Sequence, residues 1–204
     1  TLAFVSQRAR FPLLNANIFY EGTDIPFSRA YVILKVGSLK VAVLGLIGVD
    51  AFLNTMMPSH RQGLTVVEPE IVAAQWVPRL RAEADVVVLL THQGRTAPMQ
   101  TDKEADPEVQ RGFEAEYALA GAVHGIDLIV AGHTDHGLRT PVRHPETQTL
   151  IVETFGQGMH LGVLNLLYEA GQPLTVVSSD LVPVNADQLP DDASVAGLIQ
   201  AARA

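Results

Sequence analysis

The sequence predicts a layered α/β domain, and three patterns carry that prediction. Two continuous apolar runs, Asp85–Leu90 and Asp127–Ala131, each follow a segment with the pattern of a helix. Strands that are buried on both faces have this uninterrupted apolar character. From residue 149 onward, β-rich runs follow one another until a short final helix. Helices that alternate with buried strands are typical of a sheet covered by helices.

Local signals place the elements of the first part of the chain. Two β-rich runs separated by a Gly-Ser pair predict a tight β-hairpin. Asn15 and Asn17 are expected to support a turn or to bond to backbone. The predicted elements are a helix end at residues 1–10, a strand at Leu13–Phe19 and hairpin strands at Tyr31–Val36 and Leu39–Leu46.

The rest of the chain follows the helix–strand alternation. Pro69–Glu83 is predicted to be a helix that begins at a proline and is kinked at Pro78. The polar stretch Gln93–Asp106 is expected to form a surface loop, and a second helix runs from Pro107 to about Val123. The remaining predicted elements are three strands and one helix: Thr149–Thr154, Leu161–Tyr168, Leu174–Val184 and Ala193–Ala202.

The composition argues against several classes of protein. The 204 residues suffice for one domain with a sizeable core. The formal net charge of −8 argues against a nucleic acid polymer or an anionic membrane surface as the main partner. There are no cysteines, which excludes disulfides and zinc–thiolate sites. The longest apolar runs, such as Val41–Val49, are too short to span a bilayer.

Two histidines occupy equivalent places after the two apolar strands. His92 follows a run that ends in Leu-Leu-Thr, and His133 follows Val-Ala-Gly, with Asp135 two residues further on. Parallel strands would put both histidines at carboxyl ends, where open α/β sheets bind ligands. Neighbouring strands lie ~4.8 Å apart, so the two imidazoles can converge on one metal ion. The alternative for each histidine alone is a loop residue that bonds to backbone.

Four segments resemble the calcineurin-like metallophosphoesterases. Gly125–Thr134 is similar to the last block of that superfamily, usually written GHxH. Val88–Gly94 is similar to the block before it, a strand that ends in a metal-binding histidine. Phe11–Ile18 resembles a stretch of the 5′-nucleotidase branch, as does Gly156–Gly162 with the strand that follows. The blocks occur in the order of the family, and the resemblance covers nearly the whole chain.

The resemblance implies a layered α-β-β-α sandwich of the metallophosphoesterase type that is incomplete here. The family's first blocks, Asp-x-His, Gly-Asp and Gly-Asn-His-Glu, have no counterpart in the chain. We therefore expect residues 1–190 to be the C-terminal part of a metallophosphoesterase domain and residues 191–204 to begin a linker helix. The expected partners are a missing N-terminal half and a C-terminal substrate domain of the same protein. The family also implies a periplasmic or extracellular location.

By position, the resemblance implies that His92 and His133 bind one metal ion and that Asp135 binds a second. The family usually has His, Gln or Asn at the place of Asp135, and His136 is the alternative ligand. Imidazole and carboxylate together suit Mn, Zn or Fe, so the implied cofactors are two divalent ions of open identity. The family's catalytic residues belong to the absent blocks, and none is expected in this segment.

The implied activity is hydrolysis of a phosphate ester at a two-metal site. The implied substrates are small molecules: nucleoside 5′-monophosphates, nucleotide sugars or cyclic nucleotides. A sulfur-oxidation branch of the superfamily, which hydrolyses a thiosulfonate bond, is one alternative. A degenerate module kept for binding or assembly is another. Because most of the family's ligands are absent, the 204-residue segment alone is expected to be inactive.

Overall fold

A six-stranded sheet lies at the centre of the fold. The structure, a computed structural model, describes residues 8–94, 113–135, 137–185, 187 and 189–203. The predicted helix end at residues 1–10 and the predicted loop Gln93–Asp106 lie almost entirely outside these ranges, as does the beginning of the helix predicted from Pro107.

The strands and helices alternate over most of the described chain. Within the described residues, a 3₁₀ turn covers Pro58–His60. The strands there are β1 (Ile18–Tyr20), β2 (Tyr31–Val36), β3 (Leu39–Ile47), β4 (Leu64–Val66), β5 (Val86–His92), β6 (Leu128–Ala131), β7 (Val142–Arg143), β8 (Leu150–Glu153), β9 (His160–Leu167) and β10 (Thr175–Pro183). The α-helices that lie wholly within the described ranges are α1 (Val49–Thr55), α2 (Pro69–Glu83), α3 (Glu114–Ala122) and α4 (Ala193–Arg203).

The central sheet has the strand order β2-β3-β5-β6-β8-β7. Its four inner strands are parallel, and an antiparallel strand closes each edge. Two further pairs, β1 with β4 and β9 with β10, form separate antiparallel ribbons. The predicted parallel pairing of the two apolar strands is therefore confirmed.

Both faces of the central sheet are packed, which explains the uninterrupted apolar runs. Val87 and Leu89 of β5 point into the larger core, together with Leu80 of α2 and Leu119 of α3. Alternate residues, including Val86, face the β9–β10 ribbon in a smaller cluster. Helices thus cover one face and a second β layer covers part of the other, as expected for the layered sandwich.

The sequence prediction differs from the structure mainly around short elements. The helix Pro69–Glu83 and the β2–β3 hairpin have the predicted positions, whereas α1, the 3₁₀ turn, β4 and β7 were not predicted. The strand predicted at Leu13–Phe19 is wrong over residues 13–17, because β1 begins only at Ile18. There the Asn15 carboxamide oxygen accepts hydrogen bonds from the backbone N–H groups of Asn17 and Ile18, at 3.1 and 2.7 Å. Such local bonds compete with strand pairing.

Asn17 joins three elements near the carboxyl end of β3. Its buried side-chain amide donates to the carbonyl oxygens of Ile47 and Val67, both at 2.7 Å, and its oxygen accepts from the Ile47 N–H at 2.9 Å. The predicted backbone-bonding role of this residue is confirmed. Since Ile47 is paired with His92 in the sheet, Asn17 stabilises the end of the strand beside that histidine.

The C-terminal helix α4 has no buried residue, and the boundary at residue 190 stays a prediction. Within the described part of the chain, no helix has both the length and the apolar character needed to cross a membrane.

Candidate metal centre

Strands β5 and β6 bring His92 and His133 together at the carboxyl edge of the sheet. His92 is the last residue of β5, and His133 lies two residues beyond the end of the parallel neighbour β6. The Nδ1 atom of His133 is 3.1 Å from Nε2 of His92. The ring centroids are 4.6 Å apart, with an angle of 61° between the ring planes. The prediction that the two imidazoles meet on one edge is confirmed.

The loop after His133 turns sharply. His133 has φ = 92° and Asp135 has φ = 56°, both in the left-handed region that non-glycine residues rarely adopt. An extended loop, in which Asp135 would face the same way as His133, is therefore not what forms. Each such residue costs about 1–3 kcal/mol of strain, and such strain clusters at functional sites. His136 lies outside the described residues.

The Asp135 carboxyl group packs closely against the backbone of Gly156. A side chain at Gly156 would collide with that carboxyl group, so the absence of a Cβ there makes room for Asp135. Asp135 also lies near enough to raise the pKa of both His92 and His133 by its negative charge. The structure thus places all three predicted ligands in one region, and their role as ligands stays a prediction.

Partial desolvation at the edge of the sheet lowers the pKa of both imidazoles and so favours their neutral form. Desolvation is the largest cause that lowers the pKa of His92, and the neighbouring His133 lowers it further, against the opposing effect of Asp135. The pKa of His133 is also lowered by desolvation, against the charges of Asp135 and Asp50. A neutral imidazole has the free nitrogen lone pair that a metal ion requires.

Asp50 is a residue of this region that the sequence prediction missed. It lies in the first turn of α1, three residues after β3 ends, and accepts a hydrogen bond of 2.5 Å from the Asn54 amide. The available signal was the apolar run Val41–Val49, which has the same character as the two strands before the histidines.

Two buried acids lie behind the histidines and were also missed. Glu116 on α3 accepts a hydrogen bond of 3.1 Å from the Thr91 hydroxyl, and Glu153 at the end of β8 accepts one of 2.7 Å from Thr134. Burial raises the pKa of Glu116 to about 7, although its backbone and side-chain hydrogen bonds act in the opposite direction. The sequence signal for Glu153 was its place at the end of a fourth buried strand.

The histidine pair fits a shared metal ion. Two nitrogens bound to one ion at ~2.0–2.1 Å lie roughly 2.9–3.4 Å apart, which includes the observed 3.1 Å. No group of three or more His, Asp or Glu side chains within the described ranges is arranged to hold an ion by itself. The two imidazoles therefore fit as part of a coordination sphere that needs further ligands.

No family model matches the chain, but curated relatives do. It is 28% identical over 197 residues to Protein UshA of Yersinia enterocolitica and 27% identical over 194 residues to a 5′-nucleotidase of Vibrio cholerae. Each match covers 87% of this chain and 34% of the relative, so the chain spans about a third of their length. A 2′,3′-cyclic-nucleotide 2′-phosphodiesterase/3′-nucleotidase of Haemophilus influenzae is 29% identical over 145 residues, which cover 65% of this chain and 20% of that protein.

Solved structures show the same fold. The sulfate thiohydrolase SoxB of Thermus thermophilus matches with a TM-score of 0.77 at 27% identity, over 98% of this chain and 33% of that chain. A putative 5′-nucleotidase of Staphylococcus aureus matches with a TM-score of 0.73 at 24% identity, over 99% of this chain and 38% of that chain.

Fold and relatives together confirm the fold class and the family resemblance that the sequence indicated. The chain has the fold of a calcineurin-like metallophosphoesterase domain and corresponds to part of such a domain. Within that class, its resemblance to the C-terminal half of the metallophosphatase domain of the 5′-nucleotidase branch is confirmed.

Proposed function

We propose that the protein containing this chain is a metal-dependent hydrolase of nucleotide phosphate esters. One observation carries the proposal: two imidazoles meet at the carboxyl edge of a parallel sheet, with 3.1 Å between their ring nitrogens. The names of the curated relatives, 5′-nucleotidase among them, support nucleotides as the substrate class.

The chain's own residues have distinct roles in this proposal. His92 and His133 hold one divalent ion through their ring nitrogens, and the Asp135 carboxylate binds a second ion. Bound ions supply the positive charge that neutralises the phosphate group and orients it. That charge is needed because the chain itself has a net charge of −8. The remaining ligands and the catalytic groups come from other parts of the full-length protein.

A thiosulfonate substrate is the second candidate, and one observation favours it. The T. thermophilus sulfate thiohydrolase matches 98% of this chain at 27% identity. Phosphate esters and thiosulfonates both present tetrahedral oxyanion groups, so the same pair of ions could bind either. The two candidates differ in the bond that is broken, and substrate turnover separates them.

The experiment uses the full-length protein with added Mn²⁺ or Zn²⁺. Hydrolysis of AMP, UDP-glucose and 2′,3′-cyclic AMP is compared with hydrolysis of a cysteine-linked thiosulfonate. We expect the nucleotides to be preferred, and preferred turnover of the thiosulfonate would establish the second candidate. No turnover of either class under any metal would indicate a non-catalytic module.

Matched variants connect the activity to the histidine pair. Loss of a group that only orients a metal ligand typically lowers activity by about 10–100-fold. His92→Ala and His133→Ala remove the ligands themselves, so each should lower kcat/KM by a larger factor. The control is His124→Ala. His124 is an exposed histidine in the connection from α3 to β6, which precedes β6, whereas His133 follows it. Wild-type activity in His92→Ala would contradict the proposed site. The family further implies a location outside the cytoplasm, which cell fractionation tests.

A further inference from the structure

The two histidines of the candidate metal centre have threonine neighbours that are anchored in the same way. Thr91 precedes His92 and donates its hydroxyl hydrogen to Glu116. Thr134 follows His133 and donates to Glu153. These four anchoring residues are all buried, and Glu116 has no exposed surface. Each histidine is thus attached directly to a residue whose side chain is fixed inside the protein.

The anchor at Thr91 sets the direction of His92. Successive side chains of a strand point to opposite faces, so a threonine held inward by Glu116 turns the next residue outward. His92 is accordingly exposed while Thr91 and Gln93 on either side of it are buried. The backbone is held as well, because the Gly48 N–H donates to the His92 carbonyl oxygen at 2.9 Å.

The anchor at Thr134 maintains the turn that presents His133. The residues on both sides of Thr134 have positive φ angles, 92° at His133 and 56° at Asp135. Such a backbone persists only where surrounding contacts determine it. The 2.7 Å hydrogen bond from Thr134 to Glu153 at the end of β8 is such a contact.

Carboxyl groups are costly at these positions, which makes a packing role alone a poor explanation. Burying an acid is unfavourable, and apolar residues of similar volume often stabilise a protein as well or better. What a carboxyl group provides is a directional oxygen acceptor for the threonine hydroxyl. Both acids provide it beside a predicted metal ligand.

We propose that Glu116 and Glu153 are positioning residues of the metal centre, which act through Thr91 and Thr134 to hold His92 and His133 in a metal-binding arrangement. The inference rests on the proposed function, since it assumes that the histidines bind metal. Neither acid contacts the ion or the substrate in this proposal. Their contribution is to metal affinity and coordination geometry.

The test measures metal binding by the full-length protein rather than turnover. Mn²⁺ affinity is determined by calorimetry, and Co²⁺ is used as a probe whose visible spectrum reports ligand geometry. Thr91→Val and Thr134→Val keep the side-chain shape but remove the hydroxyl. We expect each to weaken Mn²⁺ binding by about 10–100-fold, as for other groups that orient ligands, and to change the Co²⁺ spectrum. Thr91→Ser and Thr134→Ser keep the hydroxyl and should bind nearly as the wild type does.

A double variant separates positioning from folding. Thr91→Val alone removes the threonine hydroxyl from the buried Glu116 carboxyl group, which can destabilise the fold. Thr91→Val/Glu116→Leu replaces both partners by apolar groups, a change that is often neutral for stability. We expect this variant to melt near the wild-type temperature and still to bind Mn²⁺ at least about 10-fold more weakly. Wild-type Mn²⁺ affinity and Co²⁺ spectrum in the double variant and in Thr134→Val would overturn the inference.

The failure of the inference and the failure of the proposed function give different results. If wild-type protein binds Mn²⁺ and His92→Ala abolishes this binding, the proposed metal site stands and the threonine variants alone decide the inference. If wild-type protein does not bind Mn²⁺ or Co²⁺, or binds them equally well without His92 and His133, the proposed metal site is wrong. The positioning role is then wrong as well.

Discussion

The backbone N–H of Gly48 donates a hydrogen bond of 2.9 Å to the carbonyl oxygen of His92. This bond extends the pairing of β3 and β5 one residue beyond the end of β3. It also puts Gly48 directly against the buried side chain of Gln93, with no room for a methyl group. The candidate metal centre therefore depends on a glycine that is not itself a predicted metal ligand.

Gly48→Ala should destabilise the protein and weaken metal binding together. A Cβ at this position would lie 2.6 Å from the Cβ of Gln93, so the strand that carries His92 must shift. Overpacking of this kind costs about 1–3 kcal/mol. The measurements are urea denaturation and Mn²⁺ calorimetry of the full-length protein.

Gly197→Ala is the matched control for that substitution. Gly197 lies in the exposed helix α4, where an added methyl group would meet open space, so alanine should be neutral or slightly stabilising. A Gly48→Ala protein with unchanged stability and unchanged metal affinity would contradict the close approach of Gly48 and Gln93.

Glu116→Gln should change how stability depends on pH. Folding raises the pKa of Glu116 from 4.5 to about 7, so the unfolded chain releases its proton at lower pH than the folded chain does. The wild type is then fully stabilised below pH 4.5 and loses that stability as the pH rises to about 7. Glutamine cannot ionise, so the Glu116→Gln protein does not lose stability in this way. The stability of this variant relative to the wild type should therefore increase across this window by up to about 3 kcal/mol.

Chemical denaturation of both proteins at several pH values checks this prediction. Comparing the two proteins at each pH removes the contributions of His92 and His133, whose lowered pKa values act in the opposite direction. A stability difference that stays constant between about pH 4 and pH 8, a range that brackets both pKa values, would show that Glu116 is not held protonated by burial.

Asp135→Ala should weaken Mn²⁺ binding more than His136→Ala does. Alanine removes the carboxylate altogether, whereas asparagine, which the family accepts at this place, would still offer an oxygen to a metal ion. Because Asp135 has φ = 56°, alanine adds some backbone strain, so the stability of the variant is measured as well. The family's second ligand lies two residues after the histidine, which favours Asp135. Calorimetry of both variants decides the matter, and a greater loss in His136→Ala would reverse the assignment.

The 204-residue chain alone should be a poor phosphatase. Its described residues bring two imidazoles together but no set of three ligands that could hold an ion, and open coordination positions reduce both affinity and preorganisation. The assay is hydrolysis of p-nitrophenyl phosphate and AMP with Mn²⁺ or Zn²⁺. Strong metal-dependent turnover by this chain would show that the missing ligands are not needed.

The sequence predicted the larger elements because their signals are local. The parallel pairing of β5 and β6, and with it the meeting of His92 and His133, followed from two apolar runs after two helices. The Thr91–Glu116 and Thr134–Glu153 hydrogen bonds join residues 25 and 19 positions apart. No periodicity encodes such contacts, since they arise only when α3 and β8 pack beside the strands that carry the threonines.

The loop after His133 shows a second limit of the sequence pattern. Side-chain alternation applies to an extended chain, and His133 and Asp135 are left-handed instead. The residue types do not predict a left-handed backbone at His133 and Asp135, because the glycines of this segment lie on either side of these two residues, at positions 132 and 137. The turn is imposed by tertiary contacts, namely the bond from Thr134 to Glu153 and the packing of Asp135 on Gly156.

The left-handed backbone at His133 and Asp135 also has a consequence for hydrogen exchange. A segment that is unfavourable by itself and fixed by a few contacts opens at a lower free energy than the sheet beside it. The amide hydrogens of Thr134 and Asp135 should therefore exchange with deuterium sooner than those of Leu89 and Ile129, which lie in the fully buried core. An ion bound to His133 would have to be released for this opening to occur, so metal should slow exchange in the loop while the core amides keep their rates.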